Sequence, residues 1–244
     1  MTNPLIHIFP TTEELAISFT ERLKEHIEKI TEKGGNIHIC LSGGNTPKTV
    51  FKILADEYYD TIPWKQVHFY WGDERCVPAG DMESNYGEAK RILFDNINLP
   101  KENIHPVNGE NNAEEEAISY SQVLLNNIPI ENGIPVFDVM ILGMGDDGHT
   151  ASVFPDNIKL LHEKKICTVS VHPLTGQKRI TLTGTILNNA IYTYFLITGK
   201  NKAKVLKDIL EGKPEAVKYP TYYIKPVKGG LNYFLDQNAA SEIN

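Results

Sequence analysis

The chain is 244 residues long, 41% hydrophobic and 23% charged, a composition that suits an ordinary soluble globular protein of one large α/β domain or two small ones. Its formal charge of −7 argues against a general nucleic-acid surface, which needs a clustered excess of Lys and Arg, but leaves room for an anionic small ligand held by a few local cations. Cys40, Cys76 and Cys167 are widely separated and suggest neither a disulfide framework nor a metal knuckle; with no apolar run near the roughly 18 residues of a membrane span and no basic leader before an apolar stretch, the expectation is a soluble, cytoplasmic protein.

Residues 5–9 read as a strand, followed by an amphipathic helix over 12–32 in which Leu15, Phe19, Leu23, Ile27 and Ile30 recur at helical spacing until Gly34-Gly35 stops it. A second strand, 36–41, runs into Ser42-Gly-Gly-Asn-Thr-Pro47 and a helix carrying Val50, Phe51 and Leu54; Thr46 is placed as its N-cap and Pro47 as its first helical residue. Then come a strand at 67–71, helices near 84–96 and 112–126, and strands at 137–142, 166–171 and 191–198. A helix at 201–211 and a short strand near 222–224 close the pattern. The polar segment 108–116 reads as a loop and helix start, and no repeat, low-complexity tract or linker interrupts the chain. Strands alternating with helices predict an α/β, three-layer Rossmann-like fold: a largely parallel sheet with helices on both faces, in a single domain spanning 1–244.

The most concentrated chemical signal is 138–149, an apolar run followed by three glycines, two aspartates and a histidine. It falls at a strand's C-terminal edge, where open α/β sheets bind ligands. Gly143, Gly145 and Gly148 satisfy the spacing of a dinucleotide turn, but Asp146 and Asp147 would repel a pyrophosphate, so that reading is rejected. His149 is instead a natural general base near neutral pH, with a neighbouring carboxylate to fix its tautomer. No second His or Cys stands at ligand spacing nearby, so no metal is expected.

Three other segments can meet an anion. Ser42-Gly43-Gly44-Asn45-Thr46 exposes backbone N–H groups and hydroxyls at a helix start. Trp71-Gly-Asp73-Glu74-Arg75 offers two acids and a planar fork of donors to a sugar and its phosphate, although taken alone it reads better as a surface ion-pair turn. Arg179 and Lys202 add cations, although the run Lys200, Lys202, Lys204 and Lys207 is mostly a solvated helix face. The histidines at 7, 26, 38, 68, 105, 162 and 172 read as structural or surface residues.

Taken in order, Leu41-Ser-Gly-Gly-Asn-Thr-Pro47, Trp71-Gly-Asp-Glu-Arg-Cys-Val-Pro78, Ser84-Asn-Tyr86, Gly143-Met-Gly-Asp-Asp-Gly-His-Thr-Ala-Ser-Val-Phe-Pro155 and Arg179-Ile-Thr-Leu182 resemble the 6-phosphogluconolactonase family over nearly the full chain. The resemblance implies hydrolysis of 6-phospho-D-glucono-1,5-lactone to 6-phosphogluconate in the oxidative pentose phosphate pathway, with no cofactor. It also implies His149 as general base, Asp147 as its orienter and Asp73 as a sugar-hydroxyl contact or second acid/base group. The phosphate is then assigned to Ser42, Gly43, Gly44, Thr46, Arg75, Arg179 and Lys202. The implied partner is a small sugar-phosphate lactone, with no nucleic acid or membrane, and the protein is expected as a monomer or weak homo-oligomer.

Two rivals share part of the pattern. Glucosamine-6-phosphate deaminase/isomerase resembles the chain at Ser42-Gly-Gly, the Asp-Glu pair and Asp147-Gly-His149, but carries an acidic residue before the proline where Phe154 stands here, and Met-Asp-Glu-Tyr in place of Gly72-Asp-Glu-Arg75. Both differences favour the lactonase. A non-catalytic sugar-phosphate-sensing domain would accompany a helix-turn-helix module, for which the opening strand and long helix leave no room. Cys76 reads as a bystander thiol.

Overall fold

The computed structural model describes residues 4–243. In chain order the elements are β1 (Leu5–Phe9), α1 (Thr12–Thr31), β2 (Ile37–Leu41), α2 (Asn45–Glu57), β3 (Val67–Trp71), β4 (Asp73–Arg75), α3 (Asn85–Ile92), α4 (Ala113–Asn127), β5 (Ile130–Glu131), β6 (Ile134–Pro135), β7 (Phe137–Leu142), β8 (Cys167–Val171), β9 (Lys178–Leu182), α5 (Gly184–Leu187), β10 (Ala190–Ile197), α6 (Ala203–Leu210) and β11 (Gly230–Asp236). Thr11 caps α1 by accepting from Glu14 N at 3.1 Å, and Leu15, Phe19, Leu23 and Ile27 all face the core, none more than 1% exposed. Burying each such side chain is worth about 1.5–3 kcal/mol, so the apolar stripe rather than intrinsic propensity fixes this helix against the sheet.

Six strands form the main sheet in the order β1-β11-β10-β7-β2-β3, with every neighbouring pair parallel. The central β2 is buried along its whole length and β7 at all but one position, as a parallel sheet covered by helices on both faces requires. From β2 the chain moves outward to β3, whereas from β7 it moves the other way through β10 to β11. The carboxyl ends of β2 and β7 therefore flank the topological switch point, where open α/β sheets bind ligands. Ser42–Gly44 leaves one of these ends and Gly143–His149 the other.

Four sequence expectations change. The short strand expected near 222–224 does not form: Pro220–Tyr223 is a 3-10 turn, and Pro220 lacks a donor for a sheet ladder. The closing strand is β11, inserted between β1 and β10. The strand near 166–171 does not join the parallel sheet. As β8 it pairs antiparallel with β9, which pairs with the three-residue β4, and this small sheet is tied to the end of β3 by Leu182 N donating to Gly72 O at 2.9 Å. The helix near 84–96 stops at Ile92 and continues as a 3-10 turn, Phe94–Asn96. Finally, Thr46 is not the N-cap of α2: Gly44 is, at φ 108, a conformation open to glycine, and the Thr46 hydroxyl lies 2.9 Å from that of Thr198.

Candidate active site

After β7 the chain makes a tight loop that closes on itself, Gly145 N donating to His149 O at 2.9 Å and Gly148 N to Gly145 O at 3.0 Å. Gly148 has φ +79, and a Cβ there would lie 2.6 Å from the Tyr219 side chain, so both conformation and space demand glycine. Within this loop His149 Nδ1 lies 2.6 Å from Asp147 Oδ1, and the same oxygen accepts from His149 N at 3.1 Å. Burial pushes the Asp147 carboxyl up, but the hydrogen bond and charge of His149 outweigh it and hold the carboxyl below its ordinary range. An ionised Asp147 accepts, which places the proton on Nδ1 and leaves the Nε2 lone pair free. The ring also packs on Phe154, with centroids 4.8 Å apart.

The two adjacent aspartates diverge. Asp146 turns away to pair with Lys202 and accepts from Asn201 Nδ2 at 2.9 Å. It thereby holds the mostly buried Lys202 side chain at the cavity wall, while its own carboxylate is largely in solvent.

The acidic segment after β3 divides its labour likewise. Asp73 is 6% exposed and faces the cavity, with Ser152 Oγ 2.6 Å from its Oδ2. Glu74 points the other way and caps α3: its carboxylate accepts from the backbone N of Arg75, Asn85 and Tyr86, each at 2.8 Å, and from Ser84 Oγ at 3.2 Å. Burial raises its pKa despite these donors. Glu74 is therefore a structural carboxylate at a helix N-terminus. Arg75 and Arg179 stand directly opposite each other across the antiparallel β4–β9 pair, and each has a buried Nε without a hydrogen-bond partner. Burial, then the charge of Arg75, lowers the pKa of Arg179.

These parts meet around one cavity of about 260 Å³ lined by Ser42, Gly43, Gly44, Asp73, Arg75, Asn85, Gly143, Met144, Gly145, His149, Ala151, Arg179 and Lys202. Of the sequence candidates only Asp147 and Thr46 stand off it. Asp147 lies behind His149, as an orienting group must. Thr46 lines an adjoining lobe with Thr198 and Asn201, so the structure does not place it with the arginines. Asn85 and Ala151 gained no role from sequence, although Asn85 lies within the Ser84-Asn-Tyr86 motif: its Nδ2 donates to Asp73 O at 2.9 Å. Another cavity, about 350 Å³, lies at the opposite, amino end of β11 among Ile209, Glu211, Tyr222, Ile224, Lys225, Leu231 and Tyr233, with no histidine or arginine in its lining. Among the described residues no group of three or more His, Cys, Asp or Glu is disposed to hold a metal ion, and no helix is long and apolar enough to cross a membrane.

Comparison with known proteins bears on this arrangement. The family described as glucosamine-6-phosphate isomerases/6-phosphogluconolactonase matches residues 10–233. The chain is 40% identical over 232 residues to a protein of Haemophilus influenzae named 6-phosphogluconolactonase, covering 95% of this chain and 96% of that one. Among solved structures, one described as devB protein superposes with a TM-score of 0.92 at 40% identity, covering 98% of this chain and 99% of that one. The 6-phosphogluconolactonase of Trypanosoma brucei superposes with a TM-score of 0.88 at 28% identity, covering both chains in full at 100%.

Proposed function

The chain belongs to the family of glucosamine-6-phosphate isomerases and 6-phosphogluconolactonases, and on that premise we propose that it is a hydrolase of 6-phospho-D-glucono-1,5-lactone, with His149 as the base that activates water. The observation that carries this reading is the position of the His149–Asp147 pair beside a cavity that also holds two opposed, incompletely partnered guanidinium groups. A phosphate on the substrate supplies the acceptors those groups lack, and Arg is suited to such planar recognition.

In this mechanism His149 Nε2 takes a proton from water as the water oxygen bonds to the lactone carbonyl carbon. The tetrahedral intermediate collapses, the bond from that carbon to the ring oxygen breaks, and the leaving oxygen takes the proton back from His149. Asp147 stabilises the transient imidazolium and fixes which nitrogen reacts. Arg75, Arg179, Lys202, Ser42 and the amides at Gly43 and Gly44 hold the phosphate, and Asp73 meets a sugar hydroxyl or serves as a second acid/base group. The reaction is assigned to the oxidative pentose phosphate pathway in the cytoplasm. Phe154, 1% exposed and packed on His149, occupies the position where the deaminase pattern carries a carboxylate, which favours hydrolysis over deamination.

The test runs two assays on one preparation: acid release from freshly generated 6-phosphogluconolactone in a pH-stat, and ammonia release from glucosamine 6-phosphate. Hydrolysis well above the spontaneous rate is expected. Deamination without hydrolysis, or binding without catalysis, would overturn the proposal.

A further inference from the structure

Ser152 is fully buried, at 0% exposure, and each of its polar groups has a partner. Its N donates to Thr181 Oγ1 at 3.2 Å, its O accepts from Ser170 Oγ at 2.6 Å, and its Oγ donates to Asp73 Oδ2 at 2.6 Å. Thr181 is the cross-strand partner of Asp73 in the β4–β9 pair, so Ser152 bonds to both members of one rung. Asn157 extends the chain: its Nδ2 donates to Ser170 Oγ at 2.7 Å and its Oδ1 accepts from Phe154 N at 2.7 Å. The loop that presents His149 is thereby pinned to the small sheet that presents Asp73, Arg75 and Arg179. Ala151, between His149 and Ser152, sits at φ 49, a conformation that costs a non-glycine residue strain. That turn sends Ser152 inward.

With Oδ2 occupied by Ser152, Oδ1 is the atom Asp73 can offer to the cavity it lines. We propose that Ser152 is a positioning residue that fixes the Asp73 carboxylate with Oδ1 aimed into the cavity, so that Asp73 receives a hydrogen bond from a sugar hydroxyl and does not act as a second acid. This assignment rests on the lactonase reading and chooses between the two roles that sequence left open for Asp73.

A double-mutant cycle on the full chain tests it, with kcat and KM of lactone hydrolysis and melting temperatures for wild type, Ser152→Ala, Asp73→Asn and the double variant. Loss of one charge-assisted hydrogen bond predicts a fall in kcat/KM of roughly 10-fold for Ser152→Ala. The double variant should be no worse than Asp73→Asn alone, since residues acting as one unit are non-additive. If Ser152→Ala does not fold, Ser152→Cys retains the shape with a weaker donor and should show a smaller loss with the same non-additivity. Losses that multiply, or a melting temperature that falls while kcat and KM stay at wild-type values, would overturn the assignment. A wild-type protein without lactonase activity would overturn the underlying reading and this assignment with it.

Discussion

Arg75 and Arg179 face each other directly across the β4–β9 ladder, two like charges at one rung, each with a buried Nε that finds no acceptor. Like charges directly opposite in a sheet destabilise it, and under the proposed function the substrate phosphate offsets that repulsion. Added phosphate or 6-phosphogluconate should raise the melting temperature of the wild type, as any ligand that binds only the folded state must. Arg179→Gln should raise KM by roughly 10- to 100-fold, the worth of a charge-assisted hydrogen bond. It should also abolish most of the phosphate-induced shift without lowering the melting temperature of the ligand-free protein. Thermal scans with and without phosphate check both statements, and an unchanged shift in the variant would remove the phosphate from the arginines.

Glu74, though adjacent in sequence to Asp73, is expected to matter for folding and not for chemistry. Its carboxylate satisfies three backbone N–H groups and a hydroxyl, and a glutamine cannot accept at both positions. Glu74→Gln should destabilise by about 2–3 kcal/mol, lowering the melting temperature by roughly 5–10 °C. The kcat/KM of the protein that remains folded should fall much less than in Asp73→Asn. A large kinetic loss at unchanged stability would place Glu74 in the reaction instead.

This division between neighbouring acids marks how far the sequence reaches. Apolar periodicity located β1, α1, β2, β3, β7 and α6 closely, because each pattern is local and the burial it implies is strong. Gly44 taking the cap from Thr46, Glu74 bonding to α3 eleven residues on, and Ser152 meeting Asp73 across 79 positions are long-range or conformational facts with no periodic signature. The same holds for the antiparallel sheet, since β4 has only three residues and exists through its pairing with β9. Segment 222–224, rich in tyrosine, carried a strand-like composition, but the sheet took Gly230–Asp236. His149, Asp147, Arg75 and Arg179 stood out through the ordered motifs of the family resemblance, and the structure brings His149, Arg75 and Arg179 to one cavity with Asp147 bonded to His149.

Buried histidines set the acid limit of the fold. Burial, then neighbouring cationic residues, lowers His26 from 6.5 to about 4; burial, then His68 and His105, does the same to His38; and burial, then His68, to His105. Between these values the unfolded chain binds more protons than the native one, so stability rises with pH across this window and is lost as pH falls from about 6.5 towards 4. His26 and His38, nearly inaccessible, should each withdraw roughly 1–2 kcal/mol by pH 5. Melting temperatures measured from pH 7.5 to pH 4.5 should therefore decline steadily below pH 6.5; a flat profile would show that these rings are not held neutral.

The central claim is that His149, oriented by Asp147, is the base for lactone hydrolysis. Its most direct test is the pH-stat turnover of His149→Ala on freshly generated 6-phosphogluconolactone, set against wild type and the spontaneous rate. A base worth its usual contribution predicts a loss of roughly 10²–10⁴ in kcat, with a phosphate-induced melting shift that stays near wild type because the arginines remain. Turnover within a few-fold of wild type in a correctly folded variant would contradict the account.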